Sequence, residues 1–278
     1  MTVGNPLDLP SSPGLVDTHC HLGVLEAAGT LQQALDEAWA SGMAGIIAVG
    51  LNLEDSLRCA SIAEQEANVF FSVGWHPTEP AAPDPAEVRE LEALLTHPKA
   101  VAVGEIGLDY YWRAGYHEVP SGIQKRSLAV LCELASGHDK PLLLHVRDAQ
   151  DEIFAALGDG VEERGGIMHC FSGGKAHMQA SLRHNFAISF AGPVTFRPNR
   201  ELRELAGEVP ADMYVVETDS PYLSPHPLRG RPNTPARVAI TASTVAEARG
   251  ISLADVCTES TANARRILRL DKWVKPVG

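Results

Sequence analysis

The run Asp17-Thr18-His19-Cys20-His21 places two imidazoles two residues apart. In a β-strand such residues point to the same face, so His19 and His21 present two nitrogen donors to one point. Neutral imidazole is the commonest protein ligand for a metal ion. One pair alone is weak evidence, because core and rim histidines fall at this spacing too. Further ionisable residues end apolar runs in the same way: Glu105 after AVAVG, His145 after PLLL, His169 after GGIM and Asp219 after MYVVET. An apolar strand interior tolerates such a group only when it is paired or metal-bound. Six ligands exceed the roughly three that one catalytic zinc takes from protein. They suit two ions about 3.5–4 Å apart that share a carboxylate and a water. The expected division gives His19, His21 and Asp219 to one ion and His145 and His169 to the other, with Glu105 between them. An ion acidifies its water beside the electrophile, and Asp219 is placed to orient that water and take its proton. Two divalent metal ions are expected; the mixed imidazole and carboxylate shell does not choose among Mg²⁺, Mn²⁺ and Zn²⁺.

Something must bring these six positions together. Short apolar runs at 15–22, 45–50, 69–75, 100–107, 141–146, 166–171, 186–190 and 214–218 read as strands covered on both faces. Between them, 30–40, 54–66, 85–95, 124–135, 149–157, 175–184 and 199–206 carry apolar residues at helical spacing, and 234–249 and 252–270 close the chain as helices. Alternation of this kind in 278 residues predicts an α/β fold, a single-domain (β/α)8 TIM barrel over 15–278 with a loose lead-in at 1–14. An open doubly wound sheet is the alternative, but it would carry a Gly-rich phosphate loop after the first strand. Here that strand ends in DTHCH. The candidate ligands all fall at C-terminal strand ends, the side on which barrel active sites are built.

Composition narrows the function further. Apolar residues make up 45% and charged residues 21%, as in ordinary globular proteins, and no run reaches the roughly 20 apolar residues of a membrane span. The net charge of −12 gives no support for a broad basic surface that grips nucleic acid, so attraction for a polyanion must be local. Five scattered cysteines without a CxxC pair argue against a disulfide framework or a structural zinc cluster. With no secretory signal at the start, a cytoplasmic monomer is expected.

The motifs DTHCH (17–21), GWHP (74–77), GEIGLDY (104–110), HVRDA (145–149), HCFSG (169–173) and ETDSPY (217–222) together resemble the TatD-type deoxyribonucleases of the metal-dependent amidohydrolase superfamily. The resemblance runs over nearly the whole chain, to TANARRIL. It implies a barrel, divalent metal and phosphodiester hydrolysis, chiefly 3′→5′ exonuclease action on DNA. It also implies ligand roles for His19, His21, Glu105, His145, His169 and Asp219. Many binuclear relatives in the superfamily bridge their ions with a carbamylated lysine; Glu105 in that place resembles the TatD pattern instead.

Around these ligands, Glu217 precedes Asp219 by two positions and is expected to orient a ligand. His76 is placed to face substrate. Arg147 and Ser172 follow ligands closely, and the arginine fork fits phosphate oxygens. Arg229 could meet a further phosphate, and Tyr110, with Tyr111 and Trp112, could stack on bases. The segment YYWRAGYHEVPSGIQKRSL departs from the family, with only Gln124 matching its usual helix start. The expected function is a metal-dependent 3′→5′ DNA exonuclease on single strands or 3′ ends. The alternatives are a hydrolase of a small-molecule or aminoacyl-tRNA ester or amide, and a non-catalytic barrel, whose mark would be lost ligands. A DNA-repair role would follow from the activity class and from no particular residue.

Overall fold

A computed structural model describes residues 11–112, 115–158 and 161–270, apart from the side chain of residue 162. Residues 1–10 of the expected lead-in and 271–278 of the expected barrel domain lie outside the described residues. Eight strands follow one another around a single parallel sheet: β1 Val16–Cys20, β2 Gly45–Val49, β3 Val69–Val73, β4 Ala100–Asp109, β5 Leu142–Arg147, β6 Gly166–Met168, β7 Phe186–Phe190 and β8 Tyr214–Val216. Each of the eight expected runs contains one of them. The helices are α1 Leu22–Ala27, α2 Leu31–Ala40, α3 Leu53–Gln65, α4 Pro85–Leu95, α5 Ser121–Gly137, α6 Ile153–Leu157, α7 Val161–Arg164, α8 Lys175–Arg183, α9 Arg200–Glu208, α10 Val238–Arg249 and α11 Leu253–Leu268. The architecture is the (β/α)8 barrel.

Nearly every strand position is buried, as parallel strands between a packed interior and a helical shell require. Strand alternation divides the core. One face of the strands, with Ile46, Phe71, Ile106 and Ile188, packs against the helices. The other, with Ile47, Phe70, Leu143, Ile167 and Val215, forms a second cluster that α11 joins through Ala264 and Leu268. Two residues beyond Leu143, Ile167 and Val215 stand His145, His169 and Glu217. The same alternation that packs the barrel therefore aims these side chains into its mouth.

Three local departures from the sequence reading have physical causes. Helices α1 and α7 are six and four residues long, too short for a 3.6-residue period to show. Strand β4 runs to Asp109, two residues past the expected end at Gly107. A side chain at Gly107 would collide with the His145 carbonyl, so glycine here lets β4 and β5 stay close beside the site. Helix α6 begins at Ile153 and not at Ala149: Asp148 takes a left-handed φ of 53°, and residues 150–152 form a turn before the helix. Among the described residues no helix is long and apolar enough to cross a membrane.

Candidate metal centre

The barrel closes between β1 and the chain just after β8, and the closure is also where the site begins. Cys20 bridges Ser220, Asp219 N donates to His19 O at 2.9 Å, and His21 N donates to Ser220 O at 2.8 Å. Asp17 locks this seam. Its Oδ1 accepts from Thr218 N at 2.9 Å and His19 N at 3.2 Å, and its Oδ2 from the Thr218 hydroxyl. Burial pushes the Asp17 carboxyl up to about 8 despite these donors. On the opposite side, Gly74 brings chains together. A side chain there would strike Gly50 O and Glu105 N, and Glu105 N donates to Gly50 O at 3.0 Å. The ends of β2, β3 and β4 thus converge where Glu105 projects.

All six expected ligands meet in one buried cluster. Glu105 divides it. Its Oε2 faces His19 Nε2 at 3.2 Å and His21 Nε2 at 3.8 Å. Its Oε1 faces His145 Nδ1 at 2.6 Å, His169 Nε2 at 3.5 Å and His76 Nε2 at 3.6 Å. Asp219 Oδ1 stands 3.1 Å from His21 Nε2, 3.8 Å from His169 Nε2 and 3.9 Å from His19 Nε2. Several of these separations exceed a hydrogen bond. They suit donor atoms that share an ion, whose bonds of about 2.0–2.2 Å leave the ligands roughly 3–4 Å apart. The His19 and His169 rings lie stacked with centroids 3.5 Å apart. Two buried imidazoles in that arrangement, ringed by carboxylates, form a donor set fitted to a divalent cation.

Charge follows the same geometry. Burial opposes the ionised form of Glu105, but His169, His19, His76 and His145 outweigh it and hold the carboxyl well below its ordinary range. Burial likewise opposes protonation of His145 and His169. Asp109 and Glu105 nevertheless push His145 up to about 9, and Glu217 and Glu105 push His169 up to about 10. For His19, burial and the stacked His169 prevail and lower it. Burial also lowers His76, against the pull of Glu105. Asp219 is lowered, its burial overcome by His21 and His169.

The cluster floors a pocket of about 540 Å³ whose wall includes His21, His76, Glu105, Tyr116, His145, Arg147, His169, Cys170, Ser172, Asp219, Tyr222 and Leu223. Of the residues expected to touch substrate, His76, Arg147 and Ser172 line this pocket. His76 stands among the candidate ligands, its Nδ1 2.6 Å from the Thr78 hydroxyl. Ser172 Oγ accepts from Gln150 Nε2 at 3.2 Å. Tyr110 and Arg229 are not in the wall. Tyr110 stacks on Trp112 and donates to Glu152 at 3.2 Å, while Arg229 lies over the Phe196 ring at 4.2 Å. Glu217 is buried behind the wall. Its Oε1 is 2.7 Å from His169 Nδ1 and accepts from Cys170 N at 2.8 Å, and its Oε2 accepts from the Ser189 hydroxyl.

Sequence reading missed Asp109, which the structure makes the counterpart of Glu217. Asp109 Oδ2 accepts from His145 Nε2 at 3.0 Å and Tyr116 OH at 2.9 Å. Its Oδ1 accepts from Tyr111 N at 2.9 Å and lies 3.2 Å from His117 Nε2. The signal was present: Glu105 and Asp109 are four apart on one strand, and so share a face. Tyr222 in the pocket wall ends the ETDSPY motif, whereas Tyr116 had no comparable signal, since its loop obeys no period.

Comparison with known proteins agrees with this geometry. A model of the TatD-related DNase family matches residues 16–269. The YabD protein of Bacillus subtilis, an uncharacterized metal-dependent hydrolase, is 33% identical over 92% of this chain and 100% of its own length. The 3′-5′ ssDNA/RNA exonuclease TatD of Klebsiella pneumoniae is 31% identical, over 86% of this chain and 92% of its own. Among solved structures, YJJV, a TatD homologue from Escherichia coli, superposes with a TM-score of 0.83 at 25% identity, covering 91% of this chain and 97% of its own.

Proposed function

The chain belongs to the TatD-related DNase family, and on that premise we propose that it is a metal-dependent hydrolase of phosphodiester bonds, a 3′→5′ exonuclease acting on single-stranded nucleic-acid ends. The observation that carries this reading is the division of Glu105, whose two oxygens face two different sets of imidazoles. His19, His21 and Asp219 with Glu105 Oε2 would hold one divalent ion, and His145 and His169 with Glu105 Oε1 a second. His76 is near enough to Glu105 to serve the second ion as a further donor. Bound there, divalent ions supply Lewis acidity and an acidified water.

The remaining work falls to side chains. The Asp219 carboxylate, held ionised at the pocket floor, orients the attacking water and takes its proton. Glu217 and Asp109 fix the rings of His169 and His145, each gripping the nitrogen turned away from the cluster. The guanidinium of Arg147 at the pocket wall donates to two phosphate oxygens of the bound end, and Ser172 adds a hydroxyl donor. Arg229 and Tyr110, outside the wall, are left to a longer substrate. Few groups here can read base edges, so sequence preference is slight.

Digestion of end-labelled single-stranded DNA and RNA tests this, with Mg²⁺, Mn²⁺, Zn²⁺ or EDTA and with His145→Ala as control. A metal-dependent ladder receding from the 3′ end, absent with EDTA and in the variant, is the expected result. The net charge of −12 favours a second reading, hydrolysis of a small or aminoacyl-tRNA ester or amide by the same site. Turnover of carbonyl substrates by metal-loaded protein that leaves both nucleic acids intact would select that reading.

A further inference from the structure

Resting on that reading of the site, we propose that Tyr116 is a positioning residue with two tasks: its hydroxyl fixes Asp109 behind His145, and its ring, with Tyr111, holds Arg147 at the pocket wall. Tyr116 belongs to the segment that departs from the family pattern, so neither task can be read from the motifs.

The hydroxyl's task follows from how Asp109 is held. Gln124 grips the Asp109 main chain from both sides, its Oε1 accepting from Asp109 N and its Nε2 donating to Asp109 O, each at 2.8 Å. The loop returns to the same point. Trp112 Nε1 donates to Val119 O at 2.8 Å, and Gln124 Nε2 to that oxygen at 3.0 Å. With the backbone fixed, only rotation of the carboxylate is left. Tyr111 N and His117 hold one oxygen; Tyr116 OH holds the other, the one that also accepts from His145 Nε2. Removing that hydroxyl frees Asp109 Oδ2 to turn towards water and loosens His145, whose Nδ1 meets Glu105.

The ring's task is to hold Arg147, which the hydroxyl also reaches. The Arg147 guanidinium lies 3.8 Å from the Tyr111 ring centroid and 5.4 Å from that of Tyr116, within range for cation–π attraction to both. A long arginine side chain loses much rotamer freedom on binding; caged between two rings it has lost part of that freedom beforehand. Tyr116 therefore connects the half of the pocket that holds ions to the half that holds phosphate.

Tyr116 is 46% exposed, so substitutions leave the core untouched. Tyr116→Phe deletes the hydroxyl and keeps the ring; Tyr116→Ala deletes both. Metal-stripped full-length protein is titrated with Mn²⁺ by calorimetry, its fold checked by circular dichroism melting, and kcat and KM are measured on a short single-stranded oligonucleotide. In Tyr116→Phe the Mn²⁺ site that includes His145 is expected to lose up to about 10-fold in affinity, no more than the lower end for loss of Asp109, the ligand's own partner, with kcat falling by a larger factor than KM rises. Tyr116→Ala should add a rise in KM of about two- to fivefold, the size of an exposed cation–π contact. Arg147→Lys, which keeps the charge and loses the flat stacking surface, should raise KM and leave Mn²⁺ affinity as it was. Wild-type Mn²⁺ affinity in Tyr116→Phe overturns the hydroxyl's task, and a wild-type KM in Tyr116→Ala overturns the ring's. Should the wild type bind Mn²⁺ yet cleave no nucleic acid, the exonuclease reading fails while calorimetry still decides the role of the hydroxyl.

Discussion

Two carboxylates stand behind two histidines in this pocket, and they are held in opposite ways. Glu217 grips His169 Nδ1, and its own partners are Ser189 on β7 and the backbone just after β6. Asp109 grips His145 Nε2, but its partners Tyr111, Tyr116 and His117 come from the connection between β4 and α5. Both carboxylates are fully buried. The first is braced by barrel strands and the second by a loop. Strand positions cannot move without disturbing the whole sheet, whereas a loop opens at small cost. The side braced by strands is therefore constant by construction, and the side braced by the loop can be tuned by sequence.

The largest effect should erase the difference altogether. Glu105 faces both sets of imidazoles, so Glu105→Gln is expected to abolish Mn²⁺ binding at both positions and leave no measurable cleavage, as read by calorimetry and by oligonucleotide digestion. Retention of one tight ion would show that the two sets do not depend on a common carboxylate. Asp219→Asn should fold normally and lose most turnover; unaltered activity in that variant would sink the role given to Asp219.

Next in size come the two supporting carboxylates, whose removal sharpens the contrast. Glu217→Gln and Asp109→Asn are each expected to weaken metal binding by about 10- to 100-fold. Their melting temperatures should part, with the larger fall in Glu217→Gln, because its lost charge leaves strand-bound donors facing a neutral group. Equal falls would break the distinction between strand and loop.

The smallest effect is one of pH. In ion-free protein both nitrogens of His145 face carboxylates, and its pKa of about 9 and that of about 10 for His169 lie above the ordinary 6.5. Groups raised in this way add stability that is complete below about pH 6.5 and is lost as pH rises through their folded values. The lowered carboxyls of Glu105 and Asp219 act in reverse, adding stability that is lost as pH falls through theirs. Melting of the metal-free protein should therefore fall between pH 6.5 and 9. Metal affinity should rise over that interval, since an ion must displace the histidine protons. Titration in buffers of different ionisation enthalpy measures the protons released; no release would contradict the charged state assigned to both rings.

Much of this was legible in the residues because barrel geometry and strand alternation are periodic. Each apolar run became a strand, and the six ionisable residues at their ends came together as expected. What stayed hidden lies where period fails. Asp109 shares a strand face with Glu105, but its role behind His145 stayed hidden because its partners Tyr116 and His117 sit in a loop whose path no local rule fixes. The adjacent aromatics Tyr110, Tyr111 and Trp112 looked equivalent, yet Tyr110 turns to Glu152 and Trp112 to Val119, while Tyr111 lies beneath Arg147. His21 and Asp219 both lie beyond their strands, and Asp219 has a φ of 57°, so their convergence depends on the closure of the barrel more than on alternation.

That closure also sets when the enzyme comes into being. His19 and His21 emerge early in synthesis, but Asp219 and Glu217 follow about two hundred residues later, and the backbone links across the seam need both ends. A growing chain leaves the ribosome N-terminus first. Until Asp219 is made the chain therefore carries the first two histidines without the carboxylate that joins Glu105 in facing them. The order of its strands thus keeps the candidate metal centre unassembled until β8 and the Asp219 that follows it have been made.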